Sequence, residues 1–496
     1  MGREALRGRK RVVPAWWADA KLGIFVHWVP ASVPGYAPTD LGIRELLGSD
    51  VANPIAETPY SEWYQNSLRF PGSSVERFHR ERYGDRPYED FAADFVAGTE
   101  GWDPADWAER FAAAGAGYVV LVTKHHDGWC LWPSEVENPN RPGWCSERDL
   151  VGELAAAVRA AGLRFGVYYS GGYDWTFDAT PIGTFADGLA ATPRGDYVAY
   201  ATAQVRELID RYQPSVLWND ISWPSTWPEL EALFAHYFEQ VPDGVVNDRW
   251  MTAPDLRRLL KVPGARRAID AIGKRSVQRK GLVPPKPRFF QFRTPEFTLQ
   301  PDIDPLPWEV TRGMDHGFGY NRTSTEDDHL TRDELVGALV DTVAKGGNVL
   351  LNVGPRGEDA QIPEPQLARL GWLAEWMDAN ADSVLGTRPW VRAAATSPEG
   401  HALHFTAREE VVWAIVGPLA PAKADGRPPA TFPVTLPLRP TQHTAVTSLA
   451  GHPVPWAAAD DGLTVDLAGV VAAGPPGFAA VAVLGAVAAP STATAR

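Results

Sequence analysis

The sequence predicts an α/β fold: a (β/α)8-type barrel followed by a C-terminal antiparallel β-sandwich. Three observations lead there. Short apolar runs alternate with amphipathic stretches over the first two-thirds of the chain, the rhythm of βα units. Those runs are rich in Val, Ile, Leu and aromatics and poor in charge, as in a parallel sheet covered on both faces. Beyond about residue 389 helical periodicity stops, and short alternating runs separated by Gly, Pro and Asp take over.

Eight strands are expected at 22–28, 118–123, 163–169, 215–219, 244–247, 289–292, 317–320 and 348–353. Helices fall between them. Asp103 before Pro104 reads as an N-cap and first helical residue, with Gly115 or Gly117 as the stop. Leu150, Leu154 and Val158 repeat on one helical face, closed by Gly162. Thr331 with Glu334 is a capping box before Leu335, Leu339 and Val343, and a last helix spans 363–380. The competing topology, a doubly wound open sheet, loses its main support because no Gly-rich phosphate fingerprint follows the first strand. The sandwich runs are 404–407, 411–416, 432–438, 463–467 and 478–484. The expected division is a barrel over 11–390, a sandwich over 391–486 and a disordered tail over 487–496.

Composition narrows the function. A net charge of −14 disfavours a nucleic-acid binder. Two cysteines, Cys130 and Cys145, exclude a disulfide scaffold. No apolar run is long enough to span a membrane, and residues 1–10 are basic with no apolar segment behind them, so a cytoplasmic protein is expected. Twenty tryptophans are a heavy load, and they suit stacking on flat apolar faces such as those of sugars. Residues 257–288 hold eleven cations, which read either as a loop for an acidic substrate group or as a solvated insertion paired with the protein's own acidic surface.

Barrel chemistry sits at the C-terminal strand ends. Those ends offer His27 and Trp28; Lys124, His125, His126 and Asp127; Tyr168, Tyr169 and Ser170; Trp218, Asn219 and Asp220; Asn247, Asp248 and Arg249; then Arg293 and Glu296. Separated carboxylates among aromatic rings point to glycoside hydrolysis, one attacking or assisting at the anomeric carbon and the other protonating the leaving oxygen. Metal hydrolysis fits less well, since the first strand lacks a His-x-His pair and His125 and His126 are adjacent, an awkward geometry for one ion. Taken singly, Asp220 and Asp248 read equally as caps or ion-pair partners, and Glu296 is a loop glutamate. Trp17, Trp107 and Trp376 read as core, while Trp28, Trp63, Trp129, Trp132, Trp218 and Trp250 fall at strand ends or in pocket loops.

The blocks Trp16-Trp17, His27-Trp28, Glu62-Trp63-Tyr64, Lys124-His125-His126-Asp127-Gly128-Trp129, Tyr168-Tyr169-Ser170, Trp218-Asn219-Asp220, Asn247-Asp248-Arg249-Trp250, Gly317-Phe318-Gly319-Tyr320-Asn321 and Asn348 to Pro355 occur in an order that resembles the α-L-fucosidases of glycoside hydrolase family 29. The resemblance spans about residues 16–390. It implies a retaining mechanism with Asp220 as nucleophile and Glu296, in its Thr294-Pro295-Glu296-Phe297 context, as acid/base. It also implies fucose contacts from His27, Glu62, Trp63, His125, His126, Tyr168 and Trp218, with Arg249 near the site. No metal and no cofactor are implied. The implied partner is a fucosylated oligosaccharide or glycoconjugate, with neither nucleic acid nor membrane, and a homo-oligomer stays open. An α-L-galactosidase and a fucose-binding protein without hydrolysis are the alternatives. Residues 138–146 and 251–288 depart from the family pattern, and the second stretch lies directly before Glu296.

Overall fold

The computed structural model describes residues 12–252, 255–419 and 430–488. Seven parallel strands form one curled sheet: β1 (Leu22–Val26), β2 (Tyr118–Lys124), β3 (Arg164–Ser170), β4 (Val216–Asp220), β5 (Val245–Val246), β6 (Trp308–Arg312) and β7 (Gly347–Val353). Their order is β5-β4-β3-β2-β1-β7-β6, so β5 and β6 are its edges. Every residue of β1, β2, β4 and β7 is buried, in keeping with their mostly apolar text.

The eighth place is filled without a regular strand. Residues 289–297 run between the two edges, and the Gln291 N–H donates to Val246 O (3.1 Å). On the other side Arg293 donates to Pro307 O (3.0 Å), and Glu309 donates back to Arg293 O (2.8 Å). The expected strand at 289–292 therefore holds the right position with only isolated bridges, Arg293 to Trp308 and Glu296 to Thr311. Pro295 and the proline-rich approach to the segment remove ladder donors. The expected strand at 317–320 is a correction. Gly317–Tyr320 is a loop, and β6 lies earlier, at a run whose charged Glu309 and Arg312 mask its strand character.

The helices follow their caps. Asp103 accepts from Ala105 N and Asp149 from Gly152 N, both at 2.9 Å. Thr331 and Glu334 cap reciprocally before helix Arg332–Ala344. Gly162, two residues past helix Leu150–Ala160, takes φ +80, a conformation that costs glycine little.

From Arg388 the chain forms antiparallel sheets of five, three and two strands. Each of the five expected runs overlaps a strand, although 432–438 is split in two at Pro437, and Leu403, Phe405, Val412 and Ala414 of one sheet share a core with Val434, Leu436, Leu463 and Val465 of another. Strands Ala445–Ser448 and Trp456–Ala459 and the short helix Ala468–Ala473 were not expected. Of the expected tail, Val487–Ala488 pairs with Leu438–Arg439, and residues 489–496 lie outside the described residues, as do 1–11. Trp376 Nε1 donates to Phe478 O (3.0 Å), tying these sheets to the barrel's helical shell. Among the described residues no helix is long and apolar enough to cross a membrane.

Candidate active site

A cavity of about 210 Å³ opens at the C-terminal ends of the strands. His27, Glu62, Trp63, His125, Tyr168, Trp218, Asp220, Arg249 and Glu296, residues from distant parts of the sequence, all line it. His126 does not. It is fully buried behind His125, with ring centroids 4.0 Å apart; its Nδ1 meets Ser170 Oγ at 2.6 Å, and its Nε2 sits 3.9 Å from Asp220 Oδ2.

The two carboxylates are held by one cation. Arg249 Nη1 donates to Asp220 Oδ1 (2.9 Å) and Nη2 to Glu296 Oε2 (3.0 Å). Burial works against the Arg249 charge, yet Asp220, Glu296 and Asp248 outweigh it and hold the guanidinium above its ordinary value. Thr294 fixes the fork, accepting from Arg249 Nε at 3.1 Å, while Thr294 N and Oγ1 both donate to Asp248 Oδ1 (3.0 and 2.7 Å). Asp248 is thus an anchor two steps behind the pocket, and burial pushes its carboxyl up to about 6.

Asp220 ends β4. It also accepts from Tyr168 Oη and from the Ile221 N–H, each at 2.8 Å. The neighbouring Tyr169 instead donates to Gln204. Glu296 accepts a second short bond from Tyr60 Oη, and its backbone N–H donates to Leu282 O at 2.9 Å. The residue after each carboxylate has positive φ, Ile221 at 66° and Phe297 at 45°. Such strain in side chains with a Cβ costs about 1–3 kcal/mol and is held in place by its surroundings.

Three other polar groups of the wall, His27, His125 and Glu62, are held in their uncharged forms by burial. Burial lowers His27 to about 4, and His27 Nδ1 meets Asn352 Oδ1 at 2.5 Å. Burial and the adjacent His126 hold His125 well below the imidazole range, and His125 Nδ1 has no partner within the protein. Burial also pushes Glu62 up to about 8, although its Oε2 accepts from Gly319 N (2.8 Å), so at pH 7 it is a protonated donor. Only a side chain–free Gly319 fits there, since a Cβ would meet Ser61 Oγ at 2.5 Å. Trp218 stacks on Tyr168 (5.4 Å, 21°) and lies under Arg249 (4.8 Å). Lys124 is absent from the pocket because its ammonium is fully buried against Asp174 (2.6 Å), a pair whose breakage costs roughly 3–5 kcal/mol.

Of the six tryptophans expected at the pocket, only Trp63 and Trp218 line it. Trp28 packs on Phe95, Trp102 and Trp107, and Trp250 on Trp223 and Phe234; Trp129 meets Trp144, and Trp132 donates to Glu207. A strand-end tryptophan is wide enough to turn outward under a helix, and sequence position does not say which way it turns. Sequence reading missed Tyr60, Tyr173, Phe185 and Phe318 in the lining and Asn352 behind His27. Tyr60 stands two residues before Glu62, and Phe318 stands in the mis-assigned strand. Trp17, Trp107 and Trp376 are buried as expected. Cys130 and Cys145 are free thiols in neighbouring backbone positions, outside this pocket. Among the described residues no three His, Cys, Asp or Glu cluster as a metal site would need.

Comparison with known proteins gives one answer. The sequence model of a family described as alpha-L-fucosidase matches residues 4–382. Tissue alpha-L-fucosidase of Bos taurus is 30% identical over 418 residues, 82% of this chain and 75% of that protein. Alpha-L-fucosidase of Branchiostoma floridae is 31% identical, covering 82% and 79%. The crystal structure of Thermotoga maritima alpha-fucosidase with a mechanism-based inhibitor superposes with TM-score 0.78 at 35% identity, over 97% of this chain and 99% of that one.

Proposed function

The chain belongs to the α-L-fucosidase family, and from that premise we propose that it is a retaining exo-glycosidase that removes terminal α-L-fucose from fucosylated glycans. Asp220 attacks the anomeric carbon while the bond to the glycosidic oxygen breaks, and Glu296 gives its proton to that departing oxygen. A water then attacks the fucosyl–aspartate ester, Glu296 takes its proton, and α-L-fucose leaves with Asp220 regenerated. His27, His125 and protonated Glu62 present hydrogen-bonding groups to the sugar hydroxyls, and Trp63, Phe25 and Phe318 supply apolar wall.

The observation that carries this reading is the shared guanidinium. Asp220 and Glu296 sit on the two terminal nitrogens of Arg249, at 2.9 and 3.0 Å. That favours the short separation of retaining enzymes, about 5–5.5 Å, over the wider gap that lets a water in between. The Thermotoga maritima relative, solved in complex with fucose, supports fucose as the sugar of this pocket. The test is hydrolysis of an aryl α-L-fucoside followed by proton NMR. The α-anomer should appear first; first appearance of the β-anomer would replace retention by inversion. Calorimetric binding of fucose with no turnover would make the protein a binder, and preference for an aryl α-L-galactoside would move the substrate to that sugar.

A further inference from the structure

Strand ends make the floor of the pocket, and the connections beyond them make its walls. Phe25, His27, Tyr168 and Trp218 stand on or directly after β1, β3 and β4 and are almost fully buried. Six apolar side chains reach the same cavity from the connections. Ile43, Leu47 and Ile55 come from between β1 and β2, Phe185 from between β3 and β4, Ile221 from directly after β4, and Leu282 from between β5 and β6. Ile55, Phe185, Ile221 and Leu282 are only half-buried.

Two of the six flank the reacting carboxylates. Leu282 O accepts the Glu296 N–H at 2.9 Å, so its side chain stands beside the acid/base, on the side where the leaving group departs. Ile221 follows Asp220 at φ 66. A β-branched residue is a genuine outlier there, and glycine or asparagine would hold that backbone at lower cost. Gly172 clears the space, since a Cβ on it would stand 2.5 Å from Ile221 Cβ. The backbone therefore does not ask for an isoleucine, but an apolar pocket wall does.

The insertion before Glu296 holds this wall together. Helix Ala265–Lys280 buries Val277 in one cluster with Ile43 and Leu47, which Phe185 and Leu282 join at its edge. Gly273 lets the helix close on Phe185, where a Cβ would stand 2.5 Å from the ring, and Asp270 Oδ1 accepts from Ala186 N at 2.8 Å.

Polar side chains of the lining leave nothing over for a second sugar. His27, Glu62, Trp63, His125, Tyr168 and Trp218 serve fucose in the reading above, and Arg249 serves the two carboxylates. Tyr60 donates to Glu296, and Tyr173 donates to Gly188 O at 3.0 Å. Thr58 Oγ1 accepts from Tyr60 N, and Thr311 is 1% exposed.

We propose that the leaving-group side of this pocket is an apolar subsite, which favours fucosides of an alkyl or aryl alcohol over fucosides of a second sugar. This rests on the fucosidase reading and narrows the alcohol that the enzyme releases. A second sugar would bring several hydroxyls against Ile43, Leu47, Phe185, Ile221 and Leu282 and lose their water without a partner in return. An alkyl or aryl group loses only apolar hydration there, which is favourable.

Ethyl, butyl and hexyl α-L-fucosides test this, because their alcohols are nearly equal as leaving groups and differ in apolar length alone. Each added methylene should raise kcat/KM about two- to threefold, as partial burial of a CH2 does, for a hexyl-to-ethyl ratio of about ten or more. Leu282→Asn should lower that ratio on the order of fivefold, two methylenes' worth of contact. Phe185→Ser should act alike, and it carries the test if the first variant does not fold. A smaller wild-type ratio, or a ratio unmoved by both substitutions, overturns the proposal. In Asp220→Gly, which binds without turnover, calorimetry should show hexyl fucoside held about tenfold more tightly than a fucosyl–galactose disaccharide. Equal or tighter binding of the disaccharide would place a sugar subsite there and overturn the proposal as well. If ethyl and aryl fucosides are both untouched by the wild type, the fucosidase reading has failed instead.

Discussion

Asp220 and Glu296 meet on one guanidinium but stand on opposite kinds of backbone. Asp220 ends a regular strand whose neighbours β3 and β5 hold it in register on both sides, Ser170 lying directly opposite. Glu296 stands on a stretch with no ladder, pinned by isolated bridges to Leu282 and Thr311. Yet both are followed by a residue with positive φ, and both receive a tyrosine hydroxyl, Tyr168 for one and Tyr60 for the other. A rigid strand aims one carboxylate, and an irregular closure of the barrel aims the other. The second arrangement leaves the leaving-group side open to variation, and the basic helix is inserted there.

The comparison breaks first at Asp220. Asp220→Gly should lower turnover of an aryl α-L-fucoside by about a thousandfold or more, as loss of a nucleophile does. Activity within tenfold would remove Asp220 from the role. Glu296→Ala should cost about 10²–10⁴-fold, less with a good leaving group, and azide should restore turnover as a fucosyl azide. No rescue would assign the acid/base to another carboxylate and dissolve the comparison. Arg249→Lys keeps the charge but loses the fork that serves both residues. We expect kcat to fall roughly 10–100-fold, on the scale of one or two charge-assisted bonds, with a smaller change in KM. Loss of only one step, seen as an altered burst, would show that Arg249 serves one carboxylate more than the other.

The smallest effect concerns stability. Glu62 is raised by burial, and further by Glu296, from 4.5 to about 8. Between those values the folded chain holds a proton that the unfolded chain has released. Stability should therefore fall as pH rises across that window and level off above about 8. Glu309, raised by burial over the same window, contributes alike. Glu62→Gln should flatten part of the fall between pH 5 and 8 in urea unfolding. An unchanged slope would mean that Glu62 is not buried as described.

Much of the site was legible in linear text because strand ends of a barrel converge. The Lys-His-His and Trp-Asn-Asp blocks announce themselves by chemistry at the ends of apolar runs. What was not legible follows from packing. Nothing local to Trp28 or Trp250 says that they turn into the helical shell while Trp218 turns into the pocket. Glu309 and Arg312 interrupt an otherwise strand-like run, so β6 was missed, and its place fell to Gly317–Tyr320, which is loop. His126 looked equal to His125 and lies behind it.

By itself the sequence determined the alternation of strands and helices, the capped helix starts, the change to antiparallel sheets, and nine of the residues that line the pocket. Periodicity and capping act within a few residues, so they survive in one dimension. Tertiary structure decided the sharing of Arg249 between Asp220 and Glu296, the seating of 289–297 as an irregular eighth member, the protonated state of Glu62 and the direction each tryptophan faces. Those depend on burial and on contacts between residues far apart in the chain, and only the closed barrel brings them within reach.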